Sequence, residues 1–170
     1  MIASEMKTQK VCGSCTEGAV YVEFLIAFMP LFVFFMSLVQ LAYVSAAAIV
    51  VQHAAVMAVR AAIVVLPDDP VHYDGVSVNS VTGKRLDDIR RAAKVPLRAV
   101  VPSPNFDLKF ATGGQVERDG LVEIQVNLNY DCKVPIGRLL VCSPWSGKKK
   151  LSGTAAMPNQ GAAYEYGAKE

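Results

Sequence analysis

This chain has few charges where a soluble protein normally carries them. Among 170 residues, Phe24 to Val59 is a run of 36 without a single Asp, Glu, Lys or Arg. Residues 19–66 hold only Glu23 and Arg60, whereas the last 104 residues hold 26 charges, an ordinary density for a soluble domain. The net charge of +2, from 17 basic and 15 acidic residues, is too small to announce a nucleic-acid surface, so no nucleic-acid partner is expected. Catalytic signatures are equally sparse. His53 and His72 are the only histidines, and no H-E-x-x-H or G-x-S-x-G is present. Thr82-Gly83-Lys84 lacks the upstream glycine and the following hydroxyl of a phosphate-binding loop. No catalytic constellation can be assembled, so the chain is read as a non-enzyme with no cofactor and no metal site.

What is present divides into two regimes. Phe24 to Val44 reads FLIAFMPLFVFFMSLVQLAYV, with Ser37 and Gln40 as its polar side chains. A helix needs about 20 mostly apolar residues to cross a hydrocarbon core of about 30 Å, and this stretch meets that length. The helical pattern continues through an alanine-rich run without glycine or proline until Leu66-Pro67. One helix over 19–66 is therefore predicted, transmembrane over about 24–44. Its second half, rich in small side chains, is read as the seat of a covering domain. Pro30 removes one backbone donor inside the first half, so a local kink is expected there.

Residues 67–170 read as α+β. Leu86, Ile89, Ala93 and Leu97 are spaced for one helical face, with Pro96 expected to end the helix near Val95. Phe106–Phe110 alternates like a strand. The clearest strand is Leu121 to Tyr130, with Val122, Ile124, Val126, Leu128 and Tyr130 on one face and Glu123, Gln125, Asn127 and Asn129 on the other. One wet face and one packed face imply an antiparallel sheet against something apolar. A weaker strand follows over Lys150–Met157. His53 is expected at the contact between helix and domain. Asp68-Asp69-Pro70-Val71-His72-Tyr73-Asp74 concentrates potential ligands, but a hydrated turn with aspartate capping is the commoner use of such a run. Lys148-Lys149-Lys150 reads as a solvated turn, and Arg90, Arg91, Lys94 and Arg98 as the wet side of the short helix.

The four cysteines form two groups. Cys12 and Cys15 precede the apolar run, without the two further ligands a zinc site needs nearby. In an oxidising compartment Cys132 and Cys142 would close a short loop, tying the end of one strand to the approach of the next. Two unpaired buried thiols are the other reading.

The junction Gly18-Ala19-Val20-Tyr21-Val22-Glu23-Phe24 is the most informative segment. A carboxylate at the edge of a lipid-facing helix costs about 2.5–3.5 kcal/mol at mid-bilayer and needs a partner or a function. Cutting after Gly18 would give Ala19 a new α-amino group, with Glu23 as the fifth residue, about one helical turn away. The alternative is a glutamate that snorkels to the headgroups. Gly, four residues, Glu, an aromatic and then a charge-free helix resembles the processing signature of type IV prepilins. With Pro30 and the alanine-rich extension ending Val59-Arg60-Ala61-Ala62, the chain resembles the TadE-like minor pseudopilins of the tight-adherence (Flp) pilus system.

That resemblance implies a pilin-like α+β fold, with a small antiparallel β-sheet domain packed on the second half of the long helix. It implies a leader over 1–18, cleavage after Gly18 by a prepilin peptidase, and Gly18, Ala19, Glu23 and Phe24 as processing residues. Glu23, Phe28 and Pro30 become assembly residues. Implied partners are the peptidase, other pilins and pseudopilins, the inner-membrane assembly platform and the lipid bilayer. Implied too is a single-pass bacterial inner-membrane protein, N-terminus cytoplasmic and residues 67–170 periplasmic, open to incorporation in a surface pilus. A type II secretion minor pseudopilin, an uncleaved signal-anchored protein with a periplasmic binding domain and a membrane-tethered enzyme are the competing readings.

Overall fold

A run of alanine, valine and leucine with one proline to disturb its hydrogen-bond ladder folds as a single helix. In the computed structural model, which describes residues 15–143 and 145–161, helix α1 spans Cys15–Val65. Its 51 residues correspond to about 75 Å at 1.5 Å per residue. Residues 1–14, Cys12 among them, and residues 162–170 lie outside the described residues. The helix starts ahead of the Gly18-Ala19 junction and runs through it; a single glycine costs only about 1 kcal/mol in a helix interior. Pro30 lies within α1 and does not end it.

The two halves of α1 differ in what covers them. Val20 to Val39 project large apolar side chains, most of them exposed, and Ser37 returns its hydroxyl to the Val33 carbonyl at 2.7 Å. Burial begins at Gln40 and recurs at Val44, Ala47, Val51, Ala54, Ala58 and Ala62. Steps of three and four place these residues on one stripe. Their small side chains let a sheet approach closely, as the sequence pattern predicts.

The chain leaves α1 at Pro67, makes a short 3-10 turn over Pro70–Tyr73, and returns along the rod as α2 (Gly83–Leu97). Ile89, Ala93 and Leu97 of α2 are fully buried. Pro96 does not stop the helix at Val95. Its missing N–H falls in the last turn, and burial of Leu97 holds that turn in place, while the Leu97 carbonyl accepts from Val100 and Val101 at 3.1 and 3.0 Å.

Three antiparallel strands follow, β1 (Phe106–Phe110), β2 (Leu121–Asp131) and β3 (Lys148–Pro158), in the order β1-β2-β3. The predicted facing of β2 is what the structure contains: Val122, Ile124, Val126, Leu128 and Tyr130 are buried in the core that the sheet forms with α1. β3 begins two residues earlier than its alternation indicates, because Lys148 and Lys149 pair with Asp131 and Tyr130. A four-residue helix, α3 (Arg138–Val141), sits inside the β2–β3 connection. The layout is α+β: a long apolar N-terminal helix with a small antiparallel sheet packed on its second half.

Candidate functional site

Two parts of α1 stand out: the exposed first half and the clamp where the domain grips the second. In the first, Gly18 faces open space and Glu23 is exposed, with no ion pair among the described residues. Ala19 and Glu23 stand at i and i+4, neighbours on a helix surface. Phe24, 61% exposed, begins an aromatic row: its ring stacks on Phe28 at 5.6 Å, and Phe28 on Phe32 at 5.7 Å. Pro30 is exposed beside this row. The structure therefore gathers Glu23, Phe24, Phe28 and Pro30 on helix surface that the chain's own domain leaves uncovered.

The clamp begins at the next steps of the same i+4 row. Gly137 lies against the Met36 carbonyl and would place a Cβ 2.8 Å from that of Gln40. Gln40 is fully buried; its Oε1 accepts the Val134 amide at 2.9 Å and its Nε2 points to Cys142 Sγ at 3.8 Å. Cys132 and Cys142 are joined in a disulfide, with Cα atoms 6.7 Å apart, closing this loop at the edge of the uncovered segment. Further along, Gln52 grips edge strand β3 with both amide atoms. Nε2 donates to the Thr154 carbonyl at 2.8 Å and Oε1 accepts the Thr154 amide at 3.2 Å. Gly153 makes the approach possible, since a Cβ there would lie 2.7 Å from the Val51 carbonyl oxygen.

At the far end, α1 finishes without a basic residue in its last turn. Arg85 of α2 supplies the missing charge. Its buried guanidinium donates to the carbonyls of Val65, Leu66 (3.2 Å), Asp68 (2.8 Å) and Val76 (3.4 Å) and lies 4.2 Å from the Tyr73 ring centroid. A cation at the negative end of a helix that otherwise leaves carbonyls unpaired is favourable twice over, as charge and as donor. Burial raises the Tyr73 phenol above its ordinary pKa, aided by the nearby Asp68 and Asp88 carboxylates and opposed by Arg85. Tyr130 is raised by burial and by Tyr43 of α1.

The other candidates settle into structural duties. Asp69 caps the 3-10 turn through the Val71 amide at 2.9 Å, and Asp68 Oδ1 accepts the Asp69 amide at 2.8 Å. Among the described residues no three His, Cys, Asp or Glu side chains converge as a metal site. His53 is exposed on α1 and not at the domain contact, because its neighbours Ala54 and Ala55 turn inward instead. Arg90 and Arg91 are exposed and pair with Asp87 and Asp88 at 3.9 and 3.1 Å. Sequence reasoning passed over Arg85, Gln52, Gly137 and Gly153. Only the glycine in a strand pattern signals a close backbone approach by itself.

No protein family, curated protein or solved structure matches this chain. The fold defines the class directly: an α+β protein with one N-terminal helix long and apolar enough to cross a membrane.

Proposed function

We propose that this chain is a TadE-like minor pseudopilin of a tight-adherence pilus system, a structural and assembly protein without catalytic activity. The observation that carries the reading is the exposed first half of α1: an apolar surface, charge-free from Phe24 on, with one acid, Glu23, standing one turn beyond Ala19. Cleavage after Gly18 by a prepilin peptidase creates an ammonium at Ala19. In a packed array of such helices an unpaired carboxylate and an unpaired ammonium are each costly; paired, within or between subunits, they offset one another and set axial register. Phe24, Phe28 and Pro30 lie in lipid before assembly and against neighbouring pilin or pseudopilin helices after it. The domain clamped to the second half is carried on the periplasmic side of the inner membrane, next to the assembly platform.

Co-expression with a prepilin peptidase tests the reading. Intact mass should show loss of residues 1–18 and a new N-terminus at Ala19, and Gly18→Arg should leave the precursor whole. Unprocessed wild-type chain in the presence of an active peptidase overturns it. A second reading, an uncleaved signal anchor, is favoured by one observation: α1 is unbroken across the junction, so a protease must unwind its first turns. In that case the mature protein keeps Cys12 and Cys15, and thiol labelling detects them.

A further inference from the structure

We propose that the disulfide-closed connection between β2 and β3 is a foot that rests in the headgroup layer of the bilayer crossed by α1. The inference rests on the spanning reading of α1 and adds a second, independent contact between this protein and lipid.

Position is the first argument. Val20 to Val39 is the length of α1 ahead of the first fully buried residue, Gln40: 20 residues, apolar but for Glu23 and Ser37, or about 30 Å, the thickness of a hydrocarbon core. The connection seats over the last turn of that length and the first residue beyond it, with Gly137 against Met36 and Gln40, and Val134 bonded to Gln40 at 2.9 Å. With that segment in lipid, the connection lies at the membrane surface.

Composition is the second. Trp145 is 98% exposed, and Leu139 and Leu140 of α3 are 58% and 69% exposed, while Gly137 and Cys142 face inward. A soluble surface rarely collects such side chains on one short loop, whereas the interfacial layer of a membrane favours tryptophan and leucine. Residues 131–150 also hold five basic residues against Asp131 alone, a net charge of +4. Lys133, Arg138 and Lys148 are exposed around the apolar tip, and Lys148 stands 3.6 Å from Asp131. Apolar tips with a basic collar match acyl chains beneath anionic phosphates. The Cys132–Cys142 bridge and the Gln40 contact hold the shape, so little ordering is needed on docking.

Trp145 is the single tryptophan, which makes the full-length chain its own reporter. The chain is reconstituted in phosphatidylcholine vesicles with and without phosphatidylglycerol, and Trp145 emission is quenched by lipids brominated near the glycerol or near the chain terminus, and by aqueous iodide. The expected result is shallow-bromine quenching about twofold stronger than deep, with protection from iodide that increases with phosphatidylglycerol. Lys133→Gln, Arg138→Gln and Lys148→Gln together should abolish that phosphatidylglycerol dependence, and Leu139→Ser with Leu140→Ser should restore iodide access, the Cys132–Cys142 bridge being intact by mass in both. A chain that resists alkaline carbonate extraction yet leaves Trp145 open to iodide overturns the foot alone. Trp145 shielded from iodide but untouched by bromolipid also overturns it, and assigns the patch to a protein partner or a second copy. Release by carbonate overturns the spanning reading and the foot with it.

Discussion

Gln40 Oε1 accepts the Val134 amide at 2.9 Å, joining the last uncovered turn of α1 to a loop 94 residues away in the chain. A polar side chain at the end of an apolar run is thereby the point where the folded domain takes hold. Gln40→Leu preserves volume and leaves a half-buried N–H without its acceptor. The expected loss is about 1–3 kcal/mol, with exchange of the Val134 amide at least about tenfold faster by hydrogen–deuterium mass spectrometry.

The contact of β3 with α1 depends on the missing side chain at position 153. Gly153→Ala puts a methyl 2.7 Å from the Val51 carbonyl oxygen and 2.8 Å from Gln52 Cα, so the strand must retreat and the two Gln52–Thr154 bonds must stretch. Denaturant unfolding should register a loss of about 1–3 kcal/mol. Gly114→Ala, whose Cβ meets nothing within 4 Å, should stay within about 0.5 kcal/mol of wild type.

Arg85 closes the far end of α1 from another helix. Arg85→Lys keeps the charge but offers a single ammonium where the guanidinium spans four carbonyls and a ring. Some carbonyls are then left buried and unpaired, and stability should fall by about 2–4 kcal/mol in denaturant unfolding. Arg85→Met should cost at least as much, since it removes the donors and the cation together.

Alkaline pH tests the two raised phenols. Both Tyr73 and Tyr130 hold their protons more tightly in the folded chain than the ordinary value of 10.0. Their contribution is complete below about pH 10, where the folded and unfolded phenols are both protonated. It declines as pH rises through the folded values, because there the unfolded chain binds fewer protons. Thermal midpoints measured against pH should drop above about pH 10, and Tyr73→Phe with Tyr130→Phe should flatten that drop.

The elements were largely legible in the sequence, the contacts between them much less so. β2 was readable because its alternation is driven by burial on one face, and Val122 to Tyr130 realise it residue by residue. The alanine-rich half of α1 was readable for the same reason. Arg85 was not, because α2 contains several basic residues that look alike and its acceptors are backbone carbonyls, which leave no side-chain signature. Gln40 was read as one polar residue in a span, since its partner is a backbone amide in a distant loop. His53 is expected at the contact between helix and domain, yet the helical period leaves it exposed between the buried Val51 and Ala54. The junction residues Gly18 and Glu23 are visible as a pattern in the sequence, and both are exposed on α1.

β3 runs alongside α1, its start at Lys149 paired with Tyr130 near Tyr43 and its middle at Gly153 against Val51 and Gln52. Rod and strands thus share one direction. Tension applied along the rod meets the β2–β3 ladder in shear, loading its rungs together, whereas a sideways tug would unzip them in succession. Such a lashing keeps the sheet fixed to the rod as one rigid body.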